Sequence, residues 1–228
     1  MDVLAFFSHW ETYRLCIERN TLHHREVGEI LRGELLAVTK PFTFLDLACG
    51  DAQLTSRLLA GTRVEAYTGV DFSAPALALA RNNMAALDCV SSFRETDFTG
   101  FLRTGHHGHD IIYLGLSLHH FEHHTKGDVM KHLYRATNPG GSLYLFEPVL
   151  RGGETREDYL ARWHQSMDTD YANFSEVQRE QLWRHVSTSD FPERPEEYGA
   201  MARAGGFRDA SVLFTAPKGF YSLFRFSA

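Results

Sequence analysis

Three acids and a run of histidines are the residues of this 228-residue chain whose types and places could do chemistry. Asp46 lies in FLDLACGDA (Phe44 to Ala52), where an apolar run meets an acid, turns on the single Gly50 and restarts as a helix. Asp71 closes the apolar run in YTGVDFS, and Asp97 follows a weaker strand-like stretch in FRETDFTGF. In an open α/β sheet ligands sit beyond the carboxyl ends of the strands, so acids at those ends face the binding crevice. A dinucleotide turn would carry GxGxxG so that backbone and helix N-terminus could approach a pyrophosphate. Here only Gly50 stands at a comparable place, Asp51 would compete with a phosphate at the helix start, and no Lys-Ser or Lys-Thr makes a Walker-type loop. The turn suits instead a nucleoside with a positive, phosphate-free end: Asp46 toward the cation, Asp71 for two ribose hydroxyls, Asp97 for an exocyclic amine with Phe98 beside a flat ring. Each acid also has a plain structural reading, as turn cap, as N-cap of the SAPALALARNN helix or as loop closure.

The elements that must position these residues follow from periodicity. Val3 to Val38 carries apolar residues at helical spacing (Leu4, Phe7, Trp10, Tyr13, Ile17, then Val27, Ile30, Leu31, Leu35), which predicts two helices with a break near Asn20-Thr21. From Phe44 the pattern alternates: FLDLA, QLTSRLLA, EAYTGVD, SAPALALARNNMAAL, then HDIIYLGLSL and GSLYLFEP separated by a helix that ends at the turn Asn138 to Gly141. Alternation of this kind implies a parallel sheet covered on both faces. FRDASVLFTA and GFYSLFRFSA break it, because Pro217-Lys218-Gly219 is too short for a parallel crossover and makes them an antiparallel hairpin. Almost sixty residues between Pro148 and Phe207 are mostly helical in pattern and read as an inserted cap.

With these elements in place the sequence resembles the class I S-adenosylmethionine-dependent methyltransferases. FLDLACGDA looks like their first motif, D/E-x-G-x-G-x-G, with Asp46 at the acid, Gly50 retained, and Ala48 and Ala52 replacing two glycines. The resemblance covers roughly Phe44 to Pro148 and the final hairpin. It implies an α/β, Rossmann-like methyltransferase fold: a doubly wound, mostly parallel seven-stranded sheet with an antiparallel last strand and a helical cap. It implies S-adenosylmethionine as cofactor and S-adenosylhomocysteine as product. By the same resemblance Gly50 and Ala48 let the backbone approach the cofactor, Asp46 faces its amino-acid end, Asp71 with Phe72 takes the ribose side, Asp97 with Phe98 flanks adenine, and Leu116 lines the site. The chain divides into a helical lid (1–40), the cofactor-binding core (41–148), a helical cap (149–206) and the C-terminal strands (207–228), as one domain overall.

Methyl transfer from a sulfonium needs an acceptor lone pair in line with the methyl, and a hydroxyl acceptor usually needs a base. GLSLHHFEHH, after the fourth strand, lacks the Asn/Asp-Pro-Pro-Tyr/Phe sequence of nucleobase-amine methyltransferases, and the chain has no Pro-Cys nucleophile. His120 is the candidate base here. His119, His120, His123 and His124 include i, i+4 pairs, but no nearby motif supplies a third ligand, and no metal is expected. HHGHD (His106 to Asp110) is a loop before the strand, opposite the crevice, and its histidines read as solvated. YRLCIERNTLHHRE looks like a lid segment, with Tyr13 toward the methionyl end and His24 a second candidate base. In the cap, Trp163, His164 and Tyr171 are the candidate substrate residues, against the plainer reading of aromatics at helical spacing as core.

Composition narrows the acceptor. Twenty-three basic against 29 acidic residues give a net charge of −6 with no Lys/Arg stripe, which disfavours nucleic acid. Cys16, Cys49 and Cys89 are far apart and form no CxxC pair, so neither a disulfide framework nor a cysteine zinc site is suggested. No run of about 18 apolar residues or signal-like start is present, so a cytoplasmic protein without a membrane partner is expected. The reading is therefore a methyltransferase acting on an oxygen or nitrogen of a small molecule. The alternatives are protein or RNA methylation, or a non-catalytic cofactor-binding regulatory module. Oligomeric state is not legible.

Overall fold

The computed structural model describes residues 3–105 and 108–228, with side chains from Glu11 onward. His106 and His107 of HHGHD, and the side chains of Leu4, Phe7 and Trp10, lie outside what is described. In chain order the elements are α1 (Val3–Glu18), α2 (His24–Leu36), β1 (Phe42–Leu47), α3 (Gln53–Leu59), β2 (Val64–Asp71), α4 (Ala74–Met84), β3 (Val90–Glu95), α5 (Phe98–Arg103) and β4 (His109–Gly115). A 3₁₀ turn (Leu118–His120) leads to α6 (His123–Ala136), β5 (Thr137–Pro148), α7 (Arg156–Asp170), α8 (Glu176–Ser189), α9 (Pro195–Gly205), β6 (Asp209–Thr215) and β7 (Tyr221–Ser227).

The seven strands form one sheet in the order β3-β2-β1-β4-β5-β7-β6. β1 to β5 pair in parallel, and β7 runs antiparallel to both β5 and β6. Successive strand side chains point to opposite faces, so each apolar strand feeds two cores. Phe44, Tyr67, Ile111, Tyr144 and Phe146 face one of them, under α1, α2, α3, α4 and α7. Leu45, Val70, Ile112, Leu114, Leu143 and Leu145 face the other, against α5, α6 and α9.

Three details differ from the sequence expectation. The Asn138 to Gly141 stretch does not stand outside the sheet: β5 runs through it, His109 pairs with Thr137 but Ile111 with Ser142, and Gly140 takes up the extra residues at φ 79°. A bulge of this kind needs the same turn-prone residues as a loop, which is why the two look alike in sequence. HDIIYLGLSL stops being a strand at Gly115 and continues as a loop and 3₁₀ turn. In the 149–206 segment, α9 packs on α6 through buried Tyr198, Met201 and Ala202, so it belongs to the helical layer of the sheet. The remaining helices, α7 and α8, pack on each other, and α8 meets α1 where Thr12 Oγ1 donates to Gln181 Oε1 (3.1 Å).

The loop after β1 has a backbone rhythm that explains the usual glycines of such a turn. Ala48, Gly50 and Ala52 all have left-handed φ values, 53°, 54° and 52°. An L-residue there costs roughly 1–2 kcal/mol because Cβ crowds the carbonyl, whereas glycine has no such penalty. Ala48→Gly is therefore expected to stabilise the chain by about 1 kcal/mol, read as a higher denaturant midpoint at unchanged slope; a lower midpoint would show that the Ala48 methyl contributes more by packing than its backbone costs.

Candidate functional site

The carboxyl ends of β1, β2, β4 and β5 come together at one edge, and the loops after β1, β2 and β4 are each tied by a carboxylate. Asp71 ends β2 and spends both oxygens on backbone donors: Gly50 N–H reaches Oδ2 at 2.9 Å and Ser73 N–H reaches Oδ1 at 2.8 Å. The N-cap of α4 is Ser73, whose Oγ accepts from Ala76 N–H at 3.3 Å, so Asp71 holds the neighbouring loop instead of capping. Asn83 Nδ2 donates to the Asp51 carbonyl (2.8 Å) and fastens the same turn to α4. Cys49 N–H donates to the Val70 carbonyl (3.0 Å).

Asp46 is 2% exposed and accepts from the Tyr67 hydroxyl at 3.0 Å. Gly69 makes room for that phenol, since a Cβ there would lie 2.8 Å from the Tyr67 oxygen. Burial pushes the Asp46 carboxyl up to about 7, with Thr55 and Tyr67 opposing as hydrogen-bond donors and the nearby Asp71 and Asp51 adding repulsion. An acidic crevice of this kind favours a cation. Phe72 is exposed beside Asp71. Asp97 N-caps α5, accepting from Gly100 N–H (2.9 Å) and the Thr99 hydroxyl (2.5 Å), and those bonds hold its carboxyl below the usual range. Phe98 sits edge-on to Phe121, centroids 5.8 Å apart.

Tyr13 and His24 meet above this edge. Tyr13 is 37% exposed, but its hydroxyl lies 3.3 Å from His24 Nε2. Burial first, then the nearby Cys16 and Asp51, keep the phenol neutral to well above its ordinary range. His24 packs edge-on to Phe146 of β5 and is lowered to about 4 by burial and by His23. Its Nδ1 is buried without a hydrogen bond, as is the Tyr159 hydroxyl.

At the β4 exit Leu116 is left-handed (φ 49°), and its N–H donates to the Phe146 carbonyl at 2.7 Å. Glu147 of β5, fully buried, gathers Ser117 N–H (3.0 Å), Leu118 N–H (2.8 Å), His119 N–H (3.1 Å) and His119 Nδ1 (2.5 Å). Burial disfavours both charges, yet their attraction outweighs it: Glu147 is held below the usual carboxylate range and His119 above the usual imidazole one. His120 turns away toward α8, Nδ1 3.0 Å from the Ser189 carbonyl and its ring 5.1 Å from that of His185. Burial and His119 lower it to about 4. Lys126, also fully buried, donates to Glu193 Oε1 (2.8 Å) and to the Phe191 carbonyl.

Of the residues singled out from sequence, Asp46, Ala48, Gly50, Asp71 and Phe72 share one turn-lined edge with Leu116, and Tyr13 pairs with His24 over it. Trp163 and Tyr171 lie in the core, 2% and 3% exposed with centroids 5.2 Å apart, while His164 is exposed against the Trp183 ring. Asp110 accepts from Thr43 N–H (2.8 Å) and Asn138 Nδ2 (2.7 Å) and so fastens β1 and β5 to β4. Sequence reasoning missed Glu147 and Lys126, and it weighed His119 only within the histidine run. Glu147 carries the signal used for Asp46 and Asp71, an acid at the end of an apolar strand, and Lys126 interrupts the apolar stripe of α6. An open depression of about 590 Å³ lined by Pro41, Arg63, Val64 and Val90 lies at the amino ends of β1 to β3, the opposite end of the sheet.

The comparisons with known proteins agree with this geometry. Residues 44–141 match the family model described as a methyltransferase domain. The demethylmenaquinone methyltransferase of Chlorobaculum tepidum is 25% identical over 186 residues, covering 76% of this chain and 72% of that one. An O-methyltransferase family 2 protein from Planctomyces limnophilus, solved with apigenin, superposes with a TM-score of 0.62 at 14% identity over 96% of this chain and 61% of that one. Human N-acetylserotonin methyltransferase, solved with its cofactor, gives 0.55 at 16% identity over 81% and 47%. The acid-ended strands, the turn on Gly50 and the antiparallel β7 give this chain the fold of class I S-adenosylmethionine-dependent methyltransferases, with a methyltransferase-domain match over residues 44–141.

Proposed function

We propose that the chain methylates an oxygen or nitrogen of a small molecule, leaving S-adenosylhomocysteine as the second product. The observation that carries this reading is the pair of buried polar atoms without partners, His24 Nδ1 and the Tyr159 hydroxyl, on the face covered by α1, α2 and α7. Buried polar groups are ordinarily satisfied, so orphans on the covered side of a binding edge suit a ligand that brings its own donors and acceptors. A helix-covered acceptor side suits a small molecule better than a folded protein or a nucleic acid, and the net charge of −6 points the same way.

When bound, S-adenosylmethionine would supply its sulfonium methyl, which an in-line acceptor lone pair takes as the C–S bond breaks and S-adenosylhomocysteine leaves. Asp46 faces the methionyl ammonium, and Asp71 and Phe72 take the ribose side. Asp97 with Phe98 lies toward adenine, and Ala48, Gly50 and Leu116 shape the floor. Tyr13 closes over the methionyl end and orients His24. The neutral His24 imidazole then takes the proton that a hydroxyl acceptor loses as its oxygen gains the methyl. His120 stands at the rim, and His164 with α7 and α8 borders the acceptor.

Asp46 links the cofactor to protons. Its folded pKa of about 7 lies above the ordinary carboxylate value, so the cofactor-free protein holds a proton there and loses stability as pH rises from about 4 to 7. Binding a cation must expel that proton below pH 7. Calorimetry at pH 6 in buffers of different ionisation enthalpy is expected to show close to one proton released per S-adenosylmethionine bound, and none in Asp46→Asn, whose affinity should fall at least about tenfold. Absence of binding to the wild-type chain, or an equal response to NAD, would sink the cofactor assignment.

His24 gives the second test. Its folded pKa near 4 keeps it neutral through the physiological range, so kcat for a phenolic acceptor should fall on the acid side near pH 4, not near 6.5. Because the unfolded chain protonates first, the same residue costs stability as pH falls from about 6.5 to 4. In a turnover screen of phenols, alcohols, amines and carboxylates, His24→Ala is expected to lower kcat by roughly 10²-fold or more with hydroxyl acceptors while cofactor affinity stays within about twofold. Unchanged kcat would remove His24 from proton transfer.

A further inference from the structure

The sequence offers the histidine run no third metal ligand nearby, but the fold delivers two from the far end of α8. His185 and Asp190 come to lie against His119 and His120, and one donor atom from each of the four falls within 4.8 Å of the others. We propose that His119, His120, His185 and Asp190 form a binding site for a zinc-class divalent ion that ties the end of α8 to the β4 exit.

The distances suit that ion. Asp190 Oδ1 lies 3.5 Å from His119 Nε2 and 3.7 Å from His185 Nε2. Ligands at about 2.0–2.2 Å from a tetrahedral zinc stand roughly 3.4 Å apart, so only small side-chain shifts are needed. His120 Nδ1 is 3.8 Å from the same oxygen and 3.0 Å from the Ser189 carbonyl, so a small ring rotation would exchange that carbonyl for the ion.

Two independent features separate this cluster from an ordinary surface group of histidines. Asp190 is 5% exposed, and its Oδ1, at the centre of the three rings, makes no hydrogen bond. The nearest cations are committed elsewhere: Lys126 to Glu193 and the Phe191 carbonyl, and Arg156 to the carbonyls of Asp190 and Ser187, each at 2.7 Å. Glu147 meanwhile binds His119 Nδ1 and is itself fixed by three backbone amides, so His119 Nε2 is aimed into the cluster. A carboxylate behind a ligating imidazole is the usual outer partner of a metal site, fixing the tautomer and raising ligand basicity. Three imidazoles and one carboxylate select zinc or cobalt over magnesium and calcium, which prefer all-oxygen sets. The half-exposed His120 and His185 leave a way in from solvent.

Chelator-treated full-length chain, incubated with zinc and gel-filtered, is expected to retain one zinc per chain by elemental analysis. It should unfold at higher temperature with zinc than with magnesium or calcium, and should give the intense visible absorption of four-coordinate cobalt(II) when that ion is used. Asp190→Asn and His185→Ala should each weaken zinc binding at least about tenfold, and Glu147→Gln by roughly 10- to 100-fold. His124→Ala, on the exposed start of α6, should leave it unchanged. S-adenosylmethionine calorimetry on each variant reports a folded core, and the zinc and cofactor titrations can fail separately. Zinc retained equally by Asp190→Asn and His185→Ala, sub-stoichiometric zinc in the wild type, or equal stabilisation by magnesium would each overturn the site.

Discussion

Asp71 of β2 holds the loop that follows β1, and Glu147 of β5 holds the loop that follows β4. In the order β2-β1-β4-β5 the two outer strands thus fasten the exits of the two inner ones. The reason is geometric. Parallel strands all end on one edge, and the loops leaving that edge carry backbone N–H groups that no strand can pair. A carboxylate at the end of the neighbouring strand collects them, and the donors offset part of the cost of burying its charge. Asp97 repeats the device on a smaller scale at the start of α5.

Asp46 is the exception at this edge. It ends the inner strand β1, yet its partners are side chains, the Tyr67 and Thr55 hydroxyls, and no loop amide. Burial lifts the Asp46 carboxyl to about 7 against its two hydroxyl donors, while Glu147, equally buried, is held low by the His119 imidazole first and by the loop amides after it. Glu147 is satisfied by its own chain, whereas the function proposed above leaves the Asp46 charge to be completed by a cation.

Much of this was legible in the sequence because it is encoded locally. The apolar runs with an acid at their end gave β1 and β2 and their site residues, and the short Pro217 to Gly219 connection gave the hairpin of β6 and β7. What was not legible depends on distance along the chain. The placement of β7 between β5 and β6 follows from tertiary pairing, not from its own pattern. His119 and Asp190 are separated by all of α6, β5, α7 and α8, so no spacing rule could join them. The i, i+4 reading of the histidine run failed for a local reason: His119 and His120 lie in a 3₁₀ turn, and α6 begins only at His123, so the pairs do not share a helix face. Trp163 and Tyr171 looked alike as core or pocket residues because helical spacing of aromatics fits both.

The five non-glycine residues with positive φ among those described are Asn20, His23, Ala48, Ala52 and Leu116. Three of them form the loops leaving β1 and β4, and the other two shape the turn that presents His24. Left-handed backbone at non-glycine residues persists only where the surroundings over-determine it. Here the surroundings are identifiable: Asp71 fixes Gly50 between the two alanines, and Glu147 fixes the three residues after Leu116. At Asn20 the backbone carbonyl accepts from His23 N–H, while its side-chain oxygen accepts from Arg25 N–H. The latching carboxylates and the strained loops are therefore one design. Stiff loops are what in-line transfer requires, because alignment of donor and acceptor supplies much of the rate and a loop free to relax would surrender it.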